Sequence, residues 1–244
     1  MIPQQKPTPA AVAAKIRRMI AAGGSVEHAK GVQWFFKEEI KSRGWYTAEL
    51  RKAAIRFRRK IQKEYSSPEF LIQLANQLFS GEVLEEKNFA VFLLEGMTAE
   101  FTDLEFQMFQ SWLDRITSWA DHDALVHYLI APMIVANPAR AKYAVRWAKS
   151  PDRWHRRAAC VALIQGTRRK MFFREIVNLS SQLLNDPDDI VQKGVAWLLR
   201  ETAKAEPKRT IPYLMRIRHS APRLVLRTAC ERLDAATSSR ILYN

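Results

Sequence analysis

Apolar residues recur along most of this chain at the spacing of an α-helix. Phe70, Leu71, Leu74 and Leu78 are one example, in which side chains three or four positions apart share one helix face. We find no clear run of alternating apolar and polar residues of the kind that predicts a strand. The pattern therefore predicts an all-α fold, with helices at about 10–22, 29–42, 47–64, 68–80, 85–96, 103–116, 119–135, 138–149, 153–164, 171–184, 188–204, 207–218 and 222–236.

Prolines mark the boundaries between these segments. A proline in the first turn of a helix costs no internal hydrogen bond, because the amide at that position has no acceptor within the helix. The boundary prolines are Pro68, Pro138, Pro151, Pro187, Pro207 and Pro222. Short helices joined by such tight turns pair naturally, so we predict antiparallel helix pairs.

The helix pairs repeat. Similar stretches, each with small residues followed by an apolar helical pattern, recur at intervals of 36, 35, 34, 36 and 34 residues. They begin at Lys52, Asn88, Asp123, Arg157, Lys193 and Arg227. Because equivalent positions of stacked repeats line up along one face, this column predicts a basic stripe interrupted by one carboxylate. The fold predicted is a solenoid of HEAT-like helix pairs, an α-α superhelix.

The charge is strongly basic and unevenly distributed. Lys and Arg number 39 against 25 Asp and Glu, a formal net charge of +14, which favours a polyanionic partner. Residues 1–60 carry 14 basic and 4 acidic side chains, residues 61–138 carry 3 and 12, and residues 139–244 carry 22 and 9. Basic ends around an acidic middle are expected if two arms of a solenoid grip phosphates on a concave face. The alternative is that these charges only solvate outward helix faces.

Residues 1–9, with three prolines, predict a flexible lead, and residues 10–244 predict a single repeat domain. Cys160 and Cys230 occupy the same phase of two repeats, which predicts small core residues and not a zinc site or catalytic thiol. No stretch approaches the ~20 apolar residues of a membrane span, and the N-terminus lacks a secretory h-region. We expect a cytoplasmic protein that does not contact a membrane.

The segment around the acidic member of the column contains a second acid. Ser118 and Asp121 fit the capping-box pattern, in which each side chain bonds the backbone amide of the other residue, so Asp121 is predicted to be structural. Asp123 is then one or two turns inside the helix, where it is either an ordinary helix-start acid or a functional carboxylate. Trp119 lies four residues before Asp123, and Trp197 lies four residues after Lys193.

Three of these segments resemble the AlkD family of HEAT-like-repeat DNA glycosylases. Residues 118–123 resemble its Trp-x3-Asp segment, residues 154–159 its Trp-x2-Arg-Ala-Ala segment, and residues 192–201 its Gln-Lys-x3-Trp-x-Leu-Arg-Glu segment. Residues 44–47 also fit an early repeat of the family. The resemblance extends over about residues 30–235 and implies the HEAT-like fold and an alkylpurine DNA glycosylase activity.

Carried over position by position, the resemblance implies four site residues. The catalytic carboxylate falls on Asp123, the two lesion-facing tryptophans on Trp119 and Trp197, and the DNA-contacting arginine on Arg157. Ala120 departs from the family, which has an acid directly after the first tryptophan. From the column we add Lys52, Lys193 and Arg227 as contacts to the DNA backbone. The remaining tryptophans, namely Trp34, Trp45, Trp112, Trp147 and Trp154, we interpret as core or turn anchors.

The chemistry of alkylated purines agrees with this set of residues. Alkylation at N7 of guanine or N3 of adenine makes the base cationic and a good leaving group. A carboxylate can then stabilise positive charge that develops on the sugar, and indole rings can contact the cationic nucleotide. The expected partner is duplex DNA that contains alkylated purines, with no metal, no organic cofactor and no obligate protein partner. Two other functions stay open: a noncatalytic protein that binds branched or distorted DNA, and a scaffold for an acidic protein.

Overall fold

The computed structural model describes residues 7–65 and 67–243, and within these ranges the regular structure is helical. The chain divides into two compact units, Met1–Leu129 and Ile130–Asn244. Residues 1–6 of the predicted flexible lead of residues 1–9 lie outside the described residues. Thr8 is the N-cap of α1, which begins at Pro9. The single-domain assignment stays a prediction.

The described residues of the first unit form seven α-helices. They are α1 (Pro9–Gly23), α2 (Val26–Gln33), α3 (Thr47–Glu64), α4 (Glu69–Phe79), α5 (Leu84–Leu94), α6 (Asp103–Trp112) and α7 (Trp119–Leu125). Helix α4 packs on α1 and α5, and α5 packs on α3 and α7. Nearly every residue of α5 is buried, because this helix is surrounded by neighbours on several sides.

The part of the second unit that the structure describes has nine α-helices, some of only one turn. They are α8 (Ala131–Ala136), α9 (Ala141–Trp147), α10 (Arg153–Val161), α11 (Ile164–Thr167), α12 (Phe173–Leu183), α13 (Asp189–Ala205), α14 (Pro207–Ile217), α15 (Arg223–Cys230) and α16 (Ala235–Tyr243). Helix α13 is the centre of this unit, because α10, α12, α14 and α15 all pack against it.

The predicted helix ends agree with most of these bounds, and two predicted helices end earlier than expected. The helix expected over 29–42 ends at Gln33, and a turn follows in which Lys41 pairs through its backbone with Val83. The helix expected over 222–236 stops at Cys230, and a separate helix begins at Ala235, which no apolar pattern had indicated.

The segment expected as one helix over 119–135 is divided by a π-helical turn, Val126–Ile130. Pro132 explains the division. It has no amide hydrogen to give to the carbonyl of Tyr128, and its ring crowds that carbonyl, so the preceding turn widens. Asp123 therefore lies on a short α-helical segment that ends directly before an irregular turn.

The repeat column lies on helices that pack in order. Lys52, Asn88 and Asp123 are on α3, α5 and α7, and α5 packs on both of the other helices. Arg157, Lys193 and Arg227 are on α10, α13 and α15, where α13 packs on both neighbours. Within each unit, the sequence repeat is thus a structural repeat.

The interpretation of Cys160 and Cys230 as core residues is confirmed, since both side chains are free thiols and buried. Burial raises the pKa of Cys160 to about 12 and also raises the pKa of Cys230.

Among the described residues, no helix is long and apolar enough to cross a membrane.

Candidate functional site

The start of α7 is fixed by Asp121, whose carboxylate is fully buried. Oδ1 accepts from the amide and hydroxyl of Ser118 at 2.7 and 2.6 Å, and Oδ2 accepts from the amide and hydroxyl of Thr117 at 2.9 and 3.1 Å. The capping box is complete in both directions. The capping box predicted for Ser118 and Asp121 is therefore confirmed.

Lys87, a buried lysine of α5, neutralises this carboxylate. Its Nζ lies 3.3 Å from Oδ2 of Asp121 and also donates to the backbone carbonyl of Arg115. A buried charge is tolerated only with an opposite charge and hydrogen bonds, and this pair has both. Lys87 was missed in the sequence, although a lysine flanked by the buried positions of an apolar helix is a signal that a carboxylate lies nearby.

Asp123 has a different environment from Asp121, two residues away. Its side chain keeps about 20% of its surface exposed, and its Oδ1 lies 2.7 Å from Nδ1 of the buried His122. An ionised carboxylate can only accept, so with Asp123 charged this hydrogen bond is donated by His122. Asp123 is thus a partly exposed carboxylate on an anchored helix, with an oriented side chain.

Trp119, the first residue of α7, is one of the exposed aromatic residues, with 37% of its surface accessible. The ring of Phe36 stacks on it at a centroid distance of 4.9 Å and an interplanar angle of 14°. Its Nε1–H donates to the carbonyl of Phe35 at 3.3 Å. Trp119 and Asp123 share one short helix, so the structure brings these two predicted residues together.

Helix α3 carries an exposed basic face in the same unit. The exposed cations at positions 52, 56, 59, 60 and 63 follow the spacing of a single helix face. We call Lys52, Arg56, Arg59, Lys60 and Lys63 the α3 basic face. Within the part of the chain that the structure describes, none of them forms an ion pair.

The other two arginines of α3 serve the fold. Arg51 pairs with Glu95 and lies over the ring of Tyr128, with its Cζ 4.9 Å from the ring centroid. Arg58 donates to the backbone carbonyl of Glu95. Helix α3 therefore carries two arginines that bind within the fold, Arg51 and Arg58, and a basic face whose exposed cations are available to a polyanion.

Arg157, predicted to contact DNA, is only 5% exposed. Its Nη1 donates to the carbonyl of Ile190 at 2.7 Å, and its side chain lies against Gly194 of α13. The sequence could not show this, because the burial arises from the packing of α13 on α10. A contact of Arg157 with a phosphate stays a prediction, and this burial limits its reach.

The remaining predicted residues of the second unit are more accessible. Lys193 and Arg227 are exposed, although Lys193 also pairs with Asp189 at 3.2 Å. Trp197 is half-buried on α13. Arg157, Lys193 and Trp197 thus lie on two helices that pack together, while Asp123 and Trp119 lie in the first unit.

Trp34 corrects one prediction. It is 91% exposed and not a core or turn anchor, whereas Trp112, Trp147 and Trp154 are buried as expected.

No group of three or more His, Cys, Asp and Glu side chains that could hold a metal ion occurs among residues 7–65 and 67–243.

These features define the class of the molecule: an all-α helical-repeat protein with an exposed basic helix and a partly exposed carboxylate on the same helix as an accessible indole. The sequence profile of the family described as DNA alkylation repair enzyme matches residues 16–233. The chain therefore belongs to the DNA alkylation repair enzyme family.

A solved structure has a similar fold. It is described as a predicted DNA alkylation repair enzyme from Enterococcus faecalis, with a TM-score of 0.77 over 87% of this chain and 97% of that chain. The sequence identity is 15%, so this likeness shows the fold alone. No curated protein matches the sequence significantly.

Proposed function

We propose that this member of the DNA alkylation repair enzyme family is a DNA glycosylase. It hydrolyses the N-glycosidic bond of cationic N7- or N3-alkylated purines in duplex DNA and leaves an abasic site. The observation that carries the proposal is the contrast on α7. Asp121 is buried and committed to Lys87 and to the helix start, whereas Asp123 is partly exposed, oriented by His122, and on the same helix as the accessible Trp119.

The reaction needs little acid catalysis. The bond between C1′ and the base nitrogen breaks with its electron pair going to the base, which leaves neutral because it was cationic. Positive charge develops on the sugar, water adds to C1′, and the added water loses a proton. Asp123 supplies negative charge opposite the sugar, the kind of electrostatic stabilisation that often accelerates a reaction by ~10²–10³.

Substrate binding in this proposal is mainly electrostatic. The α3 basic face, which includes Lys52, offers five exposed cations to phosphates. Lys193 and Arg227 are the exposed cations proposed for the second unit, with Arg157 and Trp197 as further DNA-contacting residues. Trp119 would contact the cationic nucleotide through its indole ring, an interaction worth about 0.5–2 kcal/mol. We place the protein in the cytoplasm, with the nucleoid if its source is bacterial.

The proposal is tested by incubating the purified protein with duplex DNA that carries N7-methylguanine. Free N7-methylguanine and alkali-labile strand breaks should both form. Asp123→Asn should lower release by ~10²–10³, whereas Asp114→Asn, at an exposed aspartate just before α7, should not. Binding of distorted duplex without any release would instead favour a noncatalytic DNA-binding protein.

A further inference from the structure

The turn after α2 is an ordered structure that places three consecutive aromatic residues. Backbone amides of Trp34, Phe35 and Phe36 donate to carbonyls three residues earlier, at 3.3, 3.0 and 3.0 Å. The side chain of Gln33 spans the turn, since its Nε2 donates to the carbonyl of Glu38 at 2.8 Å and its Oε1 accepts from the amide of Ile40 at 3.0 Å. These bonds anchor the turn to the last residues of α2.

The three aromatic side chains of this turn have different environments. Trp34 and Phe35 are 91% and 75% exposed, whereas Phe36 is half-buried and stacks on Trp119. The carbonyl of Phe35 accepts the indole N–H of Trp119. One face and the polar edge of the Trp119 ring are therefore already occupied by a segment 84 residues earlier in the chain.

We propose that Phe36 is a positioning residue for Trp119, which it holds in one orientation so that the opposite face of the indole is presented to the lesion. The proposal rests on the proposed function for its reaction, but its geometry does not. An indole on an exposed helix end has several rotamers, and fixing one of them during binding costs free energy. Stacking by Phe36 and the hydrogen bond to the carbonyl of Phe35 fix one rotamer of Trp119 before DNA binds.

The positioning can be measured without any reaction. In protein labelled with 5-fluorotryptophan, the fluorine resonance of Trp119 is assigned with Trp119→Phe. Phe36→Ala should shift or broaden that resonance, and Phe36→Tyr should restore it, because the ring that stacks is retained. Phe35→Ala is the matched control, because it removes an aromatic side chain of the same turn and leaves the carbonyl that binds the indole. An unchanged Trp119 resonance in folded Phe36→Ala overturns the proposal.

A double-mutant cycle then tests whether Phe36 acts through Trp119. Phe36→Ala should lower kcat/KM for release of N7-methylguanine by roughly threefold to tenfold, the range expected when one aromatic pair is removed. In a Trp119→Ala background the same substitution should have no further effect. An equal decrease in both backgrounds overturns positioning through Trp119. If the wild-type protein releases no base, the proposed function fails, and the fluorine resonance still decides the positioning.

Discussion

Asp121 and Asp123 lie two residues apart on α7, and substitutions at the two positions should have opposite effects on stability and on base release. Asp121→Asn removes the negative charge that neutralises buried Lys87, so the free energy of unfolding should fall by roughly 3–5 kcal/mol. Asp123→Asn removes a partly exposed charge, so stability should change little while base release falls by ~10²–10³. Thermal unfolding and single-turnover release, measured on both variants, separate the two roles.

Loss of release in a stable Asp121→Asn variant, with full release by Asp123→Asn, would contradict this assignment. It would mean that the register across Ala120 is shifted and that Asp121 is the catalytic carboxylate. The capping-box pattern predicted the role of Asp121 because it depends on only four neighbouring residues. The burial of Arg157 depends on a helix more than 30 residues away, which no local pattern contains.

The cysteines give a second prediction at the scale of single residues. Only the thiolate is a strong nucleophile, and burial raises the pKa of Cys160 to about 12 and also raises the pKa of Cys230. At pH 8 neither side chain should react with a disulfide reagent in the folded protein. Two thiols should react once the protein is unfolded in guanidinium chloride. Rapid reaction of one thiol in the native protein would contradict the burial of these side chains.

At the scale of one helix, the α3 basic face should dominate the salt dependence of DNA binding in the first unit. Arg56→Gln with Arg59→Gln should weaken binding to duplex DNA and reduce the slope of log affinity against log salt by roughly 0.9 for each phosphate that is no longer neutralised. Lys15→Gln with Arg18→Gln, which removes two exposed cations of α1, is the matched control.

Equal effects of the two double variants would show that binding follows net charge and not a defined surface. The α3 basic face could have been predicted, because the positions 52, 56, 59, 60 and 63 share one face of any helix over 47–64. Which arginines of α3 remain available could not be predicted. Arg51 and Arg58 are satisfied by Glu95, which belongs to a distant part of the sequence.

The helices themselves were largely predictable, and the exceptions have physical reasons. Periodicity and proline positions gave the bounds of most helices to within a few residues. The segment after Gln33 continues an apolar pattern but folds as a turn, since Gln33 itself bonds the backbone at Glu38 and Ile40. The π-helical turn before Pro132 follows from a proline inside a long apolar segment, a signal that is present in the sequence.

For the whole molecule, lesion choice should follow the charge of the base. Asp123 offers negative charge, and we assign no general acid that would protonate a neutral leaving base. We expect release of N7-methylguanine and N3-methyladenine from duplex DNA, with little release of uracil or hypoxanthine under the same conditions. Product analysis by mass spectrometry checks this, with Asp123→Asn as the control for contaminating enzymes. Efficient release of uracil without N7-methylguanine would contradict the charge argument.

The acidic middle of the sequence has an explanation at the same scale. Glu85 and Asp121 are buried and bond backbone amides, and Glu86 pairs with Arg17 at 2.9 Å. Three of the twelve acidic side chains among residues 61–138 are therefore buried and do not oppose a polyanion at the surface. Counting charges along the sequence could not distinguish internal from external acids.

The pair of Lys87 and Asp121 has a consequence for how relatives of this protein should vary. The two residues are 34 positions apart, which is one repeat interval, and each is costly to bury without the other. Substitutions at these positions should therefore be correlated among natural sequences, with an apolar residue at position 87 wherever the acid at 121 is absent. Relatives without Asp123, and so without the proposed activity, should still keep both members of the pair, since the pair maintains the helix and not the reaction.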